Sequence, residues 1–108
     1  MKNDKVLQLL SLAQRAGKIS SGEFSAETAI KEGKAALVII ASDSSDRTKK
    51  HFSDMCAYRD IPFKVYSDKE TLGHYIGKEM RASLSVNDEG FSNKILSEML
   101  LNERTEVV

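Results

Sequence analysis

The segment of this chain best suited to bind a ligand is KISSGE at residues 18–23, which leads into an amphipathic stretch. Gly22 can adopt backbone conformations that other residues avoid, so a polar ligand could approach the chain closely there. The first N–H groups of a helix have no partner within the helix and carry partial positive charge. The segment therefore predicts a small site for phosphate or another acceptor group at a helix start.

Basic side chains provide a second set of candidate residues, because they bind phosphate oxygens. They fall into three groups: Lys31 with Lys34, then Arg47, Lys49 and Lys50, and finally Lys78 with Arg81. A solvated surface is the alternative interpretation for each group. Lys78 and Arg81 stand out because they lie in a loop that precedes a predicted strand. If that strand runs antiparallel to the central strand, the loop reaches the edge where other strands end.

Catalytic chemistry has little support in the sequence. Cys56 follows Phe52 by four residues on one apolar helical stripe, which favours a buried structural thiol over a nucleophile. His51 and His74 lie in predicted helices without H-E-x-x-H spacing, so we expect them to face solvent or to be partly packed. We predict a protein that is not an enzyme and has no metal and no cofactor.

The sequence gives little support to nucleotide binding or phosphoryl chemistry. The chain has neither a G-x-x-x-x-G-K-[ST] loop nor a G-x-G-x-x-G turn after a strand. Asp43 and Asp46 follow the central predicted strand and could hold magnesium in a phospho-acceptor site centred on Asp43. Their alternative roles, as turn former and helix cap, are favoured.

Composition restricts the class of protein. The 108 residues are enough for a single domain, here taken as 1–108, and 16 basic side chains balance 16 acidic ones. Zero net charge argues against coating nucleic acid through bulk charge, so any such site must be local. One cysteine excludes an internal disulfide, and the first residues fit neither a signal peptide nor a spanning helix. We expect a cytoplasmic protein.

Apolar periodicity predicts five helices, at residues 4–16, 22–32, about 48–59, about 67–76, and from about 88 onwards. Residues 102–108 are predicted to be a frayed tail. Two S-x-x-E patterns, Ser20 with Glu23 and Ser67 with Glu70, predict capping boxes at the starts of the second and fourth helices.

The strands are predicted between these helices, at residues 19–21, 35–41, 63–66 and 82–86. The run at 35–41 is continuously apolar, which indicates a strand buried on both faces. In the last strand, apolar residues alternate with serines, which predicts one less buried face and a position at the edge of the sheet. The expected fold is α/β, a three-layer α/β/α sandwich around a roughly four-stranded mixed sheet.

Several segments occur in the order found in one bacterial family. They are LSLAQRAGK at 10–18, SGE at 21–23, KAALVIIASD at 34–43, IP at 61–62, LG at 72–73 and DEGF at 88–91. In these segments the chain resembles the bacterial YlxQ-type proteins, which are similar to the kink-turn-binding ribosomal proteins of L-seven-A-e and L-thirty-e type. The resemblance spans about residues 4–101. It implies an α/β/α fold and a non-catalytic, ribosome-associated protein whose partner is structured RNA, with no membrane and no small-molecule substrate.

The resemblance also implies where RNA would bind. It indicates the start of the second helix and the loop before the last strand, and the expected residues are Ser21, Gly22, Glu23, Phe24, Ser25, Thr28, Lys31, Ser42, Asp43, Lys78, Glu79, Met80 and Arg81. In the family's strong binders a G-x-N-E-x-x-K pattern opens that helix. Gly22 matches it, whereas Phe24, Ser25 and Thr28 replace its Asn, Glu and Lys.

These replacements leave alternatives open. Glu23 could accept guanine N–H groups or could serve only in the capping box. Phe24 could stack on an unpaired base or could be a buried anchor for its helix. A protein-interaction module with weakened RNA affinity, whose partner contacts Phe24 and Met80, is the alternative function.

Overall fold

The computed structural model describes residues 4–107. The elements run in the order α1 Lys5–Arg15, β1 Ile19–Ser21, α2 Glu23–Lys31, β2 Leu37–Ile40, α3 Asp46–Tyr58, β3 Phe63–Val65, α4 Lys69–Tyr75, β4 Ser83–Val86 and α5 Glu89–Val107. Asp4 caps α1 by accepting a hydrogen bond from the Leu7 N–H, and Gly17 follows the helix with a φ of 75°. The predicted alternation of helices and strands is confirmed.

The four strands form one sheet in the order β1-β4-β2-β3. β2 pairs with β3 in parallel, whereas β4 is antiparallel to both β1 and β2. The parallel pair is joined by α3, as a parallel connection requires a crossover. The prediction of a four-stranded mixed sheet is therefore confirmed.

Two helical layers cover the sheet, and β2 contributes to both cores. Leu37 and Ile39 pack in the larger cluster with residues of α1, α4 and α5. Val38 and Ile40 pack in the smaller cluster with residues of α2 and α3. The expected burial of this strand on both faces is confirmed, and so is the three-layer architecture.

The predicted edge position of β4 is wrong. β4 lies between β1 and β2, and its serines Ser83 and Ser85 are as buried as Leu84 and Val86. Serine is small enough to pack under α2, and the Ser85 hydroxyl keeps a hydrogen bond to Asn87 Oδ1 at 2.9 Å. The alternation therefore does not mark a solvent-facing side of the strand: small serines occupy a buried face, and the Ser85 hydroxyl has a partner there.

Neither predicted capping box forms. Ser20 Oγ instead accepts a hydrogen bond from Asn87 Nδ2 at 2.9 Å, and α2 begins after Gly22 without a side-chain cap. The start of α4 is capped by Asp68, which accepts from the Thr71 N–H at 2.8 Å. This backbone hydrogen bond is the main cause that lowers the pKa of Asp68. In both cases the cap residue lies one or two positions after the predicted serine.

The C-terminal helix is longer than predicted. α5 continues through residue 107, so residues 102–107 of the expected tail belong to this helix, and Val108 lies outside the described residues. No glycine or proline interrupts this segment, which allows the helix to continue. Among the described residues, no helix is long and apolar enough to cross a membrane. The prediction about a signal peptide rested partly on residues 1–3, which are not described.

Candidate functional site

One end of the sheet collects the segments that the sequence singled out. We call this surface the rim and define it as residues 21–25, 42–47, 67–69 and 78–82. Backbone hydrogen bonds hold its segments together: the Gly22 N–H donates at 2.9 Å to the carbonyl of Ser83, the residue after the 78–82 segment, and the Ser42 N–H donates to the Ser67 carbonyl at 2.7 Å. α2, α3 and α4 all begin here, so the positive ends of their peptide dipoles face the same side.

Arg81 is the residue that joins the two predicted halves of the site. Its Nε–H donates to Ser21 Oγ at 3.3 Å, and Nη1 donates to the Met80 carbonyl at 3.0 Å. Because β4 is antiparallel to β2, the loop before β4 reaches the rim, as the sequence analysis predicted. A guanidinium has five N–H donors. Two are engaged here, so three remain for a ligand.

The start of α2 presents backbone and aromatic surface. Gly22 has a φ of 93° and a ψ of 160°, a conformation that is nearly confined to glycine. Phe24 is 82% exposed, so it is not the buried anchor that was one alternative. Without a capping box, Glu23 is an exposed carboxylate in the first turn. Ser25 is exposed beside them, and the Thr28 hydroxyl donates to the Phe24 carbonyl at 2.9 Å.

The loop before β4 is held against α4. The Lys78 N–H donates to the Gly73 carbonyl at 2.8 Å, and a Cβ atom at Gly73 would overlap the Glu79 carbonyl group. Gly73 of α4 is buried, and no periodicity or motif in the sequence indicates its role in placing this loop, although LG at 72–73 belongs to the resemblance. With the loop so placed, Lys78 and Glu79 are exposed and Met80 is 57% exposed.

The turn after β2 completes the rim. Ser42 is exposed, and Asp43 Oδ1 accepts from the Lys69 N–H at 3.0 Å, which ties the turn to the start of α4. Asp46 is the first residue of α3, whose cap is Ser45 rather than an aspartate. Among the described residues, neither Asp43 nor Asp46 belongs to a group of three side chains whose ligand atoms lie close enough together to hold a metal ion. These contacts favour the turn role of Asp43.

Lys31 is not part of this surface, which corrects the prediction. It ends α2, eight residues after Glu23, and at 1.5 Å per residue this places it about 12 Å along the helix axis from the rim. There it lines a hollow together with Arg59 and Pro62. Lys31 is a candidate in the sequence because it is basic, but the helix carries it to the opposite end of the sheet.

Two basic residues join the rim that the predicted site omitted. Lys69 opens α4, and its carbonyl accepts from the Arg81 N–H at 3.0 Å, while Arg47 lies exposed in the first turn of α3. The sequence carries a signal for both, because each follows a strand of the parallel pair, and the carboxyl ends of parallel strands meet at one edge. Acidic Glu23, Asp43 and Glu79 lie on the same rim, so bulk charge does not distinguish it.

The remaining candidates for reactivity do not belong to the rim. Cys56 is buried in the smaller core, and burial raises the pKa of its thiol to about 11. The thiol is therefore protonated at neutral pH, as expected for a structural cysteine. His51 and His74 are both exposed.

Known proteins resemble this chain over most of its length. Residues 4–96 match the family model described as the ribosomal protein L7Ae/L30e/S12e/Gadd45 family. The RNA-binding protein YlxQ of Bacillus subtilis (strain 168) is 42% identical over 89 residues, which cover 82% of this chain and 89% of that protein. The RNA-binding protein YlxQ of Enterococcus faecium is 37% identical over 91 residues, covering 83% and 86%.

Two solved structures have the same arrangement of elements. A protein with unknown function from Bacillus halodurans C superposes with a TM-score of 0.86 at 40% identity, covering 89% of this chain and 97% of that chain. The Giardia lamblia 15.5kD RNA binding protein superposes with a TM-score of 0.74 at 23% identity, covering 91% and 88%. The second likeness concerns the fold alone.

Proposed function

Since this chain belongs to the ribosomal protein L7Ae/L30e/S12e/Gadd45 family, we propose that it is a non-catalytic protein that binds structured RNA through the rim. Two relatives that share about 40% of their residues with it are named RNA-binding proteins, which supports the class of ligand. The RNA is ribosomal and sharply bent, in the manner of a kink-turn. The protein acts as a single domain in the cytoplasm, in association with the ribosome.

The observation that carries this proposal is the connection between Arg81 and Ser21. It joins the start of α2 to the loop before β4, so that backbone N–H groups and cationic side chains face one ligand. Backbone N–H groups and cationic side chains bind phosphate oxygens, and such contacts fix the position of a nucleic acid without reading its sequence. A bent RNA backbone can meet both segments at once.

The side chains after Gly22 define how this RNA is recognised. Phe24 cannot accept hydrogen bonds from the N–H groups of guanine, and Ser25 is shorter than glutamate and uncharged. This helix therefore recognises guanine only weakly. Phe24 instead stacks on a base that the bend leaves unpaired, a contact worth about 1–3 kcal/mol. The hydroxyl of Thr28, already bonded within the helix, supplies no cation where the family's strong binders have lysine.

The test is a binding titration by fluorescence anisotropy at several salt concentrations. The ligands are a ribosomal RNA fragment with a kink-turn and a continuous duplex of the same length. With about three neutralised phosphates, the affinity falls roughly as the −2.7 power of the salt concentration. The kinked fragment should bind more tightly than the duplex. Binding that is absent, or that does not depend on salt, contradicts the proposal.

A second function is favoured by one observation, the exposure of two large apolar side chains on the rim. Phe24 is 82% exposed and Met80 57% exposed, which suits a protein partner with an apolar surface. Replacing both Lys78 and Arg81 by glutamate separates the two functions. RNA retention should be lost if the rim meets phosphates, whereas an apolar protein interface tolerates the change better.

A further inference from the structure

Three potential metal ligands meet between α2 and α3, and one of them, Glu23, also belongs to the rim. Glu23 and Glu27 lie one turn apart on α2, and His51 lies on α3. His51 Nε2 is 2.9 Å from Glu27 Oε2, and one donor atom of each of the three side chains lies within 4.8 Å of the other two.

Packing of the two helices holds these side chains together. Ala26 and Ile30 of α2 share the smaller core with Phe52 and Cys56 of α3. His51 precedes Phe52, and the two rings lie edge to face with their centroids 5.3 Å apart. The Glu27 side chain is only 22% exposed and that of His51 44% exposed. Two of the three ligands are therefore partly ordered before any ion arrives.

The local charge also favours a cation. Glutamates four residues apart on a helix repel each other, and the helix N-terminus compensates mainly the one in the first turn. Among the described residues, His51 is the one basic group within 4.0 Å of either carboxylate, although the chain has 16 lysines and arginines. In the described part of the chain, neither glutamate therefore has a lysine or arginine partner.

We propose that Glu23, Glu27 and His51 form a binding site for a divalent transition-metal ion of the zinc type. One imidazole nitrogen and two carboxylate oxygens are ligands that zinc accepts, whereas calcium and magnesium prefer oxygen alone. Two ligands of a tetrahedral zinc ion lie about 3.4 Å apart. The exposed Glu23 side chain closes the remaining distance by changing rotamer, and the fourth position is left for water or an incoming ligand.

The test is a calorimetric titration of the folded protein with zinc chloride in the absence of RNA. We expect one equivalent to bind, and the thermal unfolding midpoint to rise with zinc concentration. His51→Gln and Glu27→Gln should each weaken zinc binding by more than about tenfold, because even partners outside the ligand shell contribute 10–100-fold. His74→Gln removes the other exposed histidine and serves as the matched control, with unchanged affinity.

Two outcomes would overturn this site: no zinc binding by the unaltered protein, or equal affinity in the His51→Gln variant. A His51 that only hydrogen-bonds to Glu27 predicts the first outcome. Circular dichroism of each variant, in which the new side chain is similar in size to the one it replaces, verifies that the fold is intact.

The site also bears on RNA binding, a step that rests on the proposed function. A bound dication beside the rim neutralises the negative charge of the two glutamates, so zinc should raise RNA affinity in the unaltered protein and not in His51→Gln. Zinc binding without RNA binding overturns the proposed function and leaves the metal site intact. An RNA affinity that does not change when zinc binds overturns only the predicted link between zinc binding and RNA binding.

Discussion

Arg81 Nε lies 3.3 Å from Ser21 Oγ, although the two residues are sixty positions apart in the chain. The contact exists because β4 runs antiparallel to both of its neighbours, which brings its first residues beside the last residue of β1. It converts two short segments, neither distinctive in charge, into one surface with backbone donors on one side and cationic side chains on the other.

The positions of two exposed lysines give a direct test of the rim. Lys78→Glu should weaken the binding of RNAs of any sequence, because a phosphate contact is lost. The slope of log affinity against log salt concentration should become shallower by about one. Lys31→Glu makes the same charge change at the far end of α2 and should leave the salt dependence unchanged. Anisotropy titrations at several salt concentrations measure both. If both variants changed RNA affinity and its salt dependence equally, the rim would not be the RNA-binding surface.

Gly73 should be required for the shape of the loop before β4. Alanine normally stabilises a helix relative to glycine by about 1 kcal/mol. Here its Cβ overlaps the Glu79 carbonyl, so Gly73→Ala should instead lower the free energy of unfolding by about 1–3 kcal/mol and weaken RNA binding. Urea denaturation and RNA titration measure the two effects. His74→Ala, on the same helix and exposed, should change stability by less than about 0.5 kcal/mol.

Gly22 should be required for a different reason, since a Cβ atom there meets nothing within 4 Å. Its φ of 93° with a ψ of 160° costs other residues about 1–3 kcal/mol, so Gly22→Ala should be destabilising through backbone strain alone. Thermal unfolding of Gly22→Ala beside Ser25→Ala, an exposed position three residues later, isolates this effect. A neutral Gly22→Ala variant would show that the turn relaxes at little cost.

Cys56 should make stability depend on pH in the alkaline range. Burial raises the pKa of its thiol from 9.0 to about 11, so the folded state holds a proton that the unfolded state releases. The contribution is fully present below pH 9, and it is lost progressively as the pH rises to about 11. Urea denaturation at a series of pH values, compared with Cys56→Ala, measures it. The variant should show a smaller fall over this interval, and equal curves would contradict the burial argument.

The local sequence predicted the helices and strands well, but it predicted less well which strand faces are buried and which residues cap the helices. The apolar run at 35–41 indicated a strand buried on both faces, and residues 37–41 of it are buried, because helices cover both faces of the sheet at this strand. The alternation in β4 misled, since serines at 83 and 85 look solvent-facing but are buried beneath α2. The capping boxes failed because Asn87, distant in the chain, takes the Ser20 hydroxyl, and Asp68 competes with Ser67 for the start of α4.

For the site, the sequence by itself determined which residue types were available: a flexible glycine before a helix, a buried strand, and a few cations in loops. It determined these because backbone preference and apolar periodicity act over a few neighbouring residues. Strand order and direction were decided only in the tertiary structure. They placed Lys31 away from the rim, added Lys69 and Arg47 to it, and set His51 against Glu27, since contacts between distant segments depend on how whole layers pack.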